Sequence, residues 1–239
     1  MAAFKTPGVK ILQLNVEGLS AAKRDVIHKL ATDTSASVLL LQETHSTSDD
    51  QLPIPGFAVI SHIHHKQYGV ATYVREQLVA SELCSSAETS PVQWNAIQID
   101  DLTVVNVYKP PKVLWPSPPL PPFRGQTLYA GDFNSPHISW SYKRNSPDGI
   151  ALHEWYEQLD LRCLYDPKQA SSFCSARWNS NTNPDLAFIT RSTQGERCRR
   201  EILSKFPRSQ HCPSLISTDC QILPTDTSNR PRWNFRKAN

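Results

Sequence analysis

Apolar and polar positions recur along this chain with two periods, and the places where one gives way to the other predict its elements. Residues 9–15 form an apolar run of strand length, and Leu19, Ala22, Val26, Ile27 and Leu30 follow at helical spacing. Residues 36–43 are apolar almost throughout, as a strand covered on both faces must be. These three elements read as a β-α-β unit. The rhythm then shortens to strands with tight turns at 57–61, 68–74, 92–99 and 102–108, the last two forming a hairpin through Asp100-Asp101.

A connector at 109–125, KPPKVLWPSPPLPPFRG, is too rich in proline for a continuous helix or a central strand. It reads as a loop, partly polyproline-like, whose plainest role is a crossover spacer. A short strand at 127–130 runs into Gly131-Asp132, and Asp148 is placed to cap a helix reaching about residue 159, with Ile150, Leu152, Trp155, Tyr156 and Leu159 turned inward. Further strands are expected at 161–165, 171–174, 185–189 and 215–216. With strands about twice as numerous as helices and no internal repeat, a layered α/β sandwich fits best.

Composition narrows this picture only slightly. The 239 residues suit one sizeable domain, and 25 Lys and Arg against 22 Asp and Glu leave a formal +3, which permits a polyanionic partner without demanding one. No apolar run is long enough to span a membrane and no signal peptide opens the chain, so an intracellular protein is expected. Six cysteines stand without any C-x-x-C pair, which points to reduced, structural thiols. The tail 229–239 carries Arg230, Arg232, Arg236 and Lys237 beside Trp233 and Phe235, and reads as cut from something longer.

Chemistry enters through the residues that end the apolar strands: Asn15, Glu43, Tyr108, Asp132 with Asn134, Asp185, and then His211. A carboxylate that follows four apolar residues, as Glu43 does, is costly to bury unless it is paired or binds a metal, and sheet enzymes gather their chemistry at strand ends. Each residue alone is most simply a polar strand terminus; six in series are not. Such a set supports phosphodiester hydrolysis. Glu43 would hold a hard divalent cation, Asp132 would orient or deprotonate water, and Asn134 would fix that carboxylate or a phosphate oxygen. A histidine held by a second aspartate would donate to the phosphorane.

For that histidine the stretch SQHCPSLISTDC, 209–220, offers two readings, Ser209-Gln210-His211 at its front and Thr218-Asp219-Cys220 at its back. The segments LQLNVEG (12–18), LLLQETH (39–45), YGVATYVRE (68–76), VVNVYKPP (104–111), YAGDFNSPHISW (129–140), NPDLAFIT (183–190) and SQHCPSLI (209–216) stand in the order found in the endonuclease/exonuclease/phosphatase superfamily. More narrowly, the chain resembles the endonuclease domain of jockey-like non-LTR retrotransposons. That resemblance implies a four-layer α/β sandwich of the DNase I-like type, with two packed, mostly antiparallel sheets flanked by helices over 1–224. It further implies that 225–239 is a basic linker to a reverse transcriptase. It makes DNA the partner, Mg²⁺ (or Mn²⁺) the cofactor and the nucleus the site of action. The expected reaction nicks target DNA and leaves a 3′-hydroxyl that primes reverse transcription.

Residue by residue, the resemblance assigns Asn15 and Glu43 to the metal-proximal pair, Tyr108 to the scissile phosphate, Asp132 and Asn134 to water activation, and Asp185 to support of the histidine. The family's closing Ser-Asp-His aligns with Ser209-Gln210-His211, because serine, histidine and the following apolar strand are kept; a thiol at Cys220 carries no positive charge to a phosphorane. His211 is therefore the expected catalytic histidine, with Gln210 and Arg208 as weaker candidates. Two departures follow. Gln210 puts a neutral amide where the family has aspartate, which is expected to weaken cation binding and leaves a weakened or inactive DNA-binding remnant as the alternative, alongside an abasic-site endonuclease or phosphatase. The connector is also short where relatives place a helix. His62, His64 and His65 read as exposed loop histidines without a carboxylate partner. Arg197, Arg199, Arg200, Lys205 and Arg208 form either a DNA-phosphate contact or a solvated face.

Overall fold

A computed structural model describes residues 8–221 apart from Ala176 and Trp178. The expected domain end at 224 and the basic segment 225–239 lie outside the described residues. The chain opens as expected with β1 (Gly8–Asn15), α1 (Ala21–Thr34) and β2 (Val38–Gln42), and β1 and β2 pair in parallel. The Ser20 hydroxyl caps α1 by accepting from the Lys23 amide, and Ser35, in a left-handed conformation, ends it. Next come β3 (Phe57–Ile63), β4 (Val70–Arg75), β5 (Ser81–Ser85), β6 (Gln93–Ile99), β7 (Leu102–Tyr108) and β8 (Gln126–Asp132). After these come α2 (Pro147–Gln158), β9 (Leu161–Cys163), β10 (Phe173–Ser175), β11 (Ser180–Thr182), β12 (Asp185–Thr190), β13 (Arg199–Ile202) and β14 (Ser214–Gln221).

Two six-stranded sheets result, ordered β13-β14-β1-β2-β4-β3 and β5-β6-β7-β8-β12-β9, with β10 and β11 as a separate hairpin. Each large sheet holds one parallel pair, β1 with β2 and β7 with β8, and its other pairings are antiparallel. Between the sheets lie Val9, Ile11, Val38, Leu40 and Val74 from the first, against Ile97, Ile99, Leu102, Val104, Leu128 and Ala187 from the second. Each valine, leucine and isoleucine among them contributes about 1.5–3 kcal/mol by leaving water. The outer face of the first sheet packs on Ile27 and Ala31 of α1, and that of the second on Leu152, Trp155 and Tyr156 of α2. The order is helix, sheet, sheet, helix, the expected four-layer sandwich.

Several local expectations need correction. The α2 cap is Ser146, whose hydroxyl accepts from the Gly149 amide, while Asp148 sits inside the first turn. Ile150 is exposed rather than inward, because the turn of α2 that carries it faces away from the sheet. The connector after β7 is more than a spacer: Leu120 is buried, Trp115 Nε1 donates to Ser135 Oγ at 2.8 Å, and the Pro121 and Leu120 carbonyls accept from Tyr129 and Trp155. It joins the parallel strands β7 and β8 without a helix and covers the second sheet itself, where a helical crossover would otherwise lie.

Candidate active site

At one end of the sandwich the strand termini converge. Asp185 stands at the start of β12 and His211 just ahead of β14, not at strand ends as expected, because those strands run antiparallel to β8 and β1. β1 ends at Asn15, β7 at Tyr108 and β8 at Asp132, while antiparallel β12 begins at Asp185, so all four sit at one level. The register makes this exact for two pairs, since Asp185 lies opposite Asp132 and Tyr108 opposite Asp132. Gly131 is required just before Asp132: it has φ +154°, and a Cβ there would run into the Val107 carbonyl. Glu43 follows β2 with φ +50°, an uncommon conformation for a non-glycine residue, in a loop whose Glu43 and Thr44 carbonyls accept from the Gly18 and Leu19 amides. Those two bonds sew the loop after β1 to the loop after β2.

Asn15 joins the carboxylates: its Nδ2 donates to Glu43 at 2.8 Å and to Asp132 at 2.9 Å, and its Oδ1 accepts from the Glu17 amide. With both ends of its amide engaged, Asn15 holds the carboxylates in place. Asp132 is almost wholly buried, and its Oδ1 has no hydrogen-bond partner among the described residues. Burial, against the opposing pull of His211, pushes the Asp132 pKa up to about 7. A buried carboxylate oxygen left unpaired beside Glu43 fits a hard divalent cation, which favours oxygen ligands and would satisfy it.

His211 faces Asp132 from the opposite side, with Nε2 at 3.9 Å from Oδ2, while its Nδ1 lies 2.8 Å from Asp185. Burial alone would lower the imidazole pKa, but the ion pair and hydrogen bond with Asp185 overcome it and raise the value to about 9. Asp185 shows the converse: its burial would raise the pKa, and His211 together with a hydrogen bond from Gln13 holds it below the usual carboxylate range. The charged states are therefore Asp185 anionic and His211 cationic at neutral pH. The rival reading of the last motif fails on position. Asp219 and Cys220 lie at the far end of β14, where Asp219 pairs with Arg197 at 2.7 Å and Cys220 packs in the apolar core.

Tyr108 is buried with its ring 5.4 Å from that of Tyr68, and burial with the nearby Glu43 and Asp132 charges raises its pKa, so the phenol stays neutral. The Nδ2 of Asn134 donates to the Lys109 carbonyl at 3.0 Å, which ties the exits of β7 and β8 together. Gln210 stands beside His211 with Nε2 3.4 Å from a Glu17 oxygen. Arg208 lines an open groove of about 700 Å³ with Glu17, Lys23, Arg24 and His45, next to the site.

Other residues here were not singled out from the sequence. Lys109 is fully buried, its Nζ 3.5 Å from Asp148 and 3.3 Å from the Asn134 carbonyl, and burial lowers its pKa against the pull of Asp148. Lys23, on the inner face of α1, gives its ammonium to the Val16 and Glu17 carbonyls. Glu17 lies inside the segment LQLNVEG and Lys109 inside VVNVYKPP, the signals by which these two could be found. The basic stretch divides: Arg200 is buried and donates to the Asp185 carbonyl at 2.7 Å, so it braces the His211 support from behind instead of meeting solvent or DNA. Arg197 is taken by Asp219, and Arg199 by the Glu196 and Cys198 carbonyls.

A family model described as Endonuclease/Exonuclease/phosphatase family matches residues 12–232. No curated protein sequence matches the chain. Among solved structures, the fold is similar to the endonuclease domain of TRAS1, a telomere-specific non-LTR retrotransposon, with a TM-score of 0.66 and 16% identity over 89% of this chain and 99% of that one. It is similar as well to the AP endonuclease LMAP from Leishmania major (TM-score 0.67, 16% identity, 89% of this chain and 88% of that one). An AP endonuclease from Archaeoglobus fulgidus gives a TM-score of 0.66 at 16% identity, over 89% of this chain and all of that one.

Proposed function

The chain belongs to the Endonuclease/Exonuclease/phosphatase family, and from that premise we propose that it is a Mg²⁺-dependent endonuclease that nicks DNA and leaves a 3′-hydroxyl. The observation that carries this reading is the pairing of two buried groups across one gap, Asp132 on one side and the His211–Asp185 couple on the other. Asp132, buried beside Glu43 with one oxygen unpaired, takes a proton from the attacking water. As the water oxygen bonds to phosphorus and the P–O3′ bond breaks, His211, held protonated, donates an Nε2–H hydrogen bond to a phosphate oxygen where charge builds. Asp185 fixes the ring by accepting from Nδ1, and the departing 3′-oxygen takes its proton from solvent. Tyr108, neutral, is a second donor of the same kind. Asn15 keeps Asp132 and Glu43 apart and aimed. A divalent cation held by Glu43 and Asp132 would supply Lewis-acid charge at the reacting phosphate.

The motif order in the sequence, and the likeness to a retrotransposon endonuclease over nearly that whole domain, support placing this activity in a non-LTR element. In that reading the 3′-hydroxyl primes reverse transcription, residues 225–239 lead into a polymerase, and the protein works in the nucleus. Two of the similar folds are AP endonucleases, so an abasic-site duplex belongs in the assay as a second substrate.

The test is conversion of supercoiled plasmid to open circles with Mg²⁺ or with EDTA, for wild type, His211→Ala and Cys220→Ala. Mg²⁺-dependent nicking that only the His211 change abolishes is the expected result. Binding without nicking by the wild type would sink the proposal and mark the chain as an inactive remnant. Cleavage confined to the abasic duplex would reassign the substrate.

A further inference from the structure

The histidines of SHIHHKQ do not sit in an idle loop. His62 lies in β3 and His64 just beyond its end, two residues on, so the pleat turns both to one side. Both point at the same atom: His62 Nε2 is 3.2 Å and His64 Nε2 3.0 Å from Oδ1 of Asp49, and the two rings lie 4.5 Å apart. Asp49 comes from the single turn Asp49–Gln51 that follows the Glu43 loop. The carboxylate partner that the sequence did not reveal is therefore supplied from 13 and 15 residues away along the chain.

We propose that Asp49, His62 and His64 form a binding site for a transition-metal ion of the Zn²⁺ class, separate from the active site. Three features carry it. First, the donors are spaced for a tetrahedral ion: bonds of about 2.0–2.1 Å place neighbouring ligand atoms about 3.3 Å apart, close to the 3.0 and 3.2 Å found, and all three ligand atoms lie within 4.8 Å of one another. Second, His64 Nδ1 is 3.0 Å from Ser46 Oγ, and when it donates there Nε2 carries the lone pair that a metal needs. Third, the side open to His62 and Asp49 is a cavity of about 340 Å³ that they share with Ser61 and Glu82, which leaves room for a water as fourth ligand. Two imidazoles and one carboxylate favour Zn²⁺ over Mg²⁺ or Ca²⁺, which take oxygen ligands.

The consequence for the fold is a staple. The ion would clamp the Asp49 turn onto β3, and the Ser46 hydroxyl, 3.1 Å from that of Thr44, would pass the restraint to the residue that follows Glu43. This inference does not depend on the proposed reaction.

The decisive experiment titrates Zn²⁺ into the purified chain against a chromophoric chelator, with excess Mg²⁺ present to fill oxygen-ligand sites. The wild type should take up one tightly bound Zn²⁺ and melt at a higher temperature with it. Affinity should fall at least about tenfold in Asp49→Asn, vanish in the His62→Ala/His64→Ala double variant, and stay unchanged in Glu43→Gln. Asp49 has a side chain 82% exposed, so its variant keeps the fold and decides the matter if the double variant does not. A wild type that binds no Zn²⁺ under these conditions, or binding that Asp49→Asn and the double variant leave intact, would overturn the site.

Discussion

The space between the two sheets has an apolar half and a polar half, built from the same strands. Along β1 the inward positions read Val9, Ile11, then Gln13, Asn15; along β7 they read Leu102, Val104, then Asn106, Tyr108; β8 gives Leu128, Ala130, then Asp132. On β6 and β12, which run the other way, Gln93 and Asp185 stand at the level of Tyr108 and Asp132, and Asn95 stands opposite Asn106. The polar half is knit together rather than merely buried: Gln13 donates to Gln42 and Asp185, Gln42 to Asn106, and Asn106 to Thr72, which donates to Asn95. Both halves exclude water. One does so with side chains that have no polar atoms to satisfy, the other by satisfying nearly all of them, and only the second can hold charged groups at fixed distances.

The contrast can be tested by substitutions that act on one half at a time. Asp132→Asn keeps the shape and removes the base, so plasmid nicking should drop about 10²–10⁴-fold while DNA binding in a gel-shift assay persists; retained nicking would show that the polar half is not the reaction site. Ile97→Ala, in the apolar half, should do the opposite. A loss of about 2–5 kcal/mol in urea unfolding is expected, with nicking per folded molecule unchanged.

The pH dependence of stability should separate the halves further. His211 has a folded pKa of about 9 against an ordinary 6.5, so the stabilisation from its proton is complete below 6.5 and is lost as pH rises through 9. Urea unfolding in EDTA should show that loss, on the order of 3 kcal/mol, and His211→Gln should flatten the limb; an equal slope in both proteins would contradict the buried ion pair. The smallest effect belongs to neither half. Asp33→Ala breaks the exposed Lys29–Asp33 pair on α1 and should cost no more than about 0.5 kcal/mol.

The residues closing the polar half were legible because each borders an apolar run, Asn15, Glu43, Tyr108 and Asp132 at its end and Asp185 and His211 ahead of its start. Gln13, Gln42, Asn95 and Asn106 lie within the strands, and what gives them meaning is a partner on another strand; Gln13 and Asp185 are 172 positions apart. β5 and β13 were missed for a different reason. Both are edge strands, β5 with every residue exposed and β13 written RREI, so neither carries the alternation that marks a strand with one buried face. Arg200 shows the limit most plainly, since a run of arginines reads as surface until one of them is found buried behind Asp185.

The pairing of β1 with β14 bears on the order in which the molecule can assemble. Asn15 stands on β1 and His211 just ahead of β14, the first and last strands among the described residues, and these strands are neighbours, with Gln13 opposite Ser214 and Gly8 opposite Gln221. Contacts so remote along the chain form late and slowly, because most of the polypeptide must be ordered before they close. A nascent chain can therefore gather Asn15, Glu43, Tyr108 and Asp132 while still lacking the imidazole that faces them. In the proposed mechanism cleaving competence waits on the docking of β14, and a polypeptide interrupted before it would carry Asn15, Glu43, Tyr108 and Asp132 without His211.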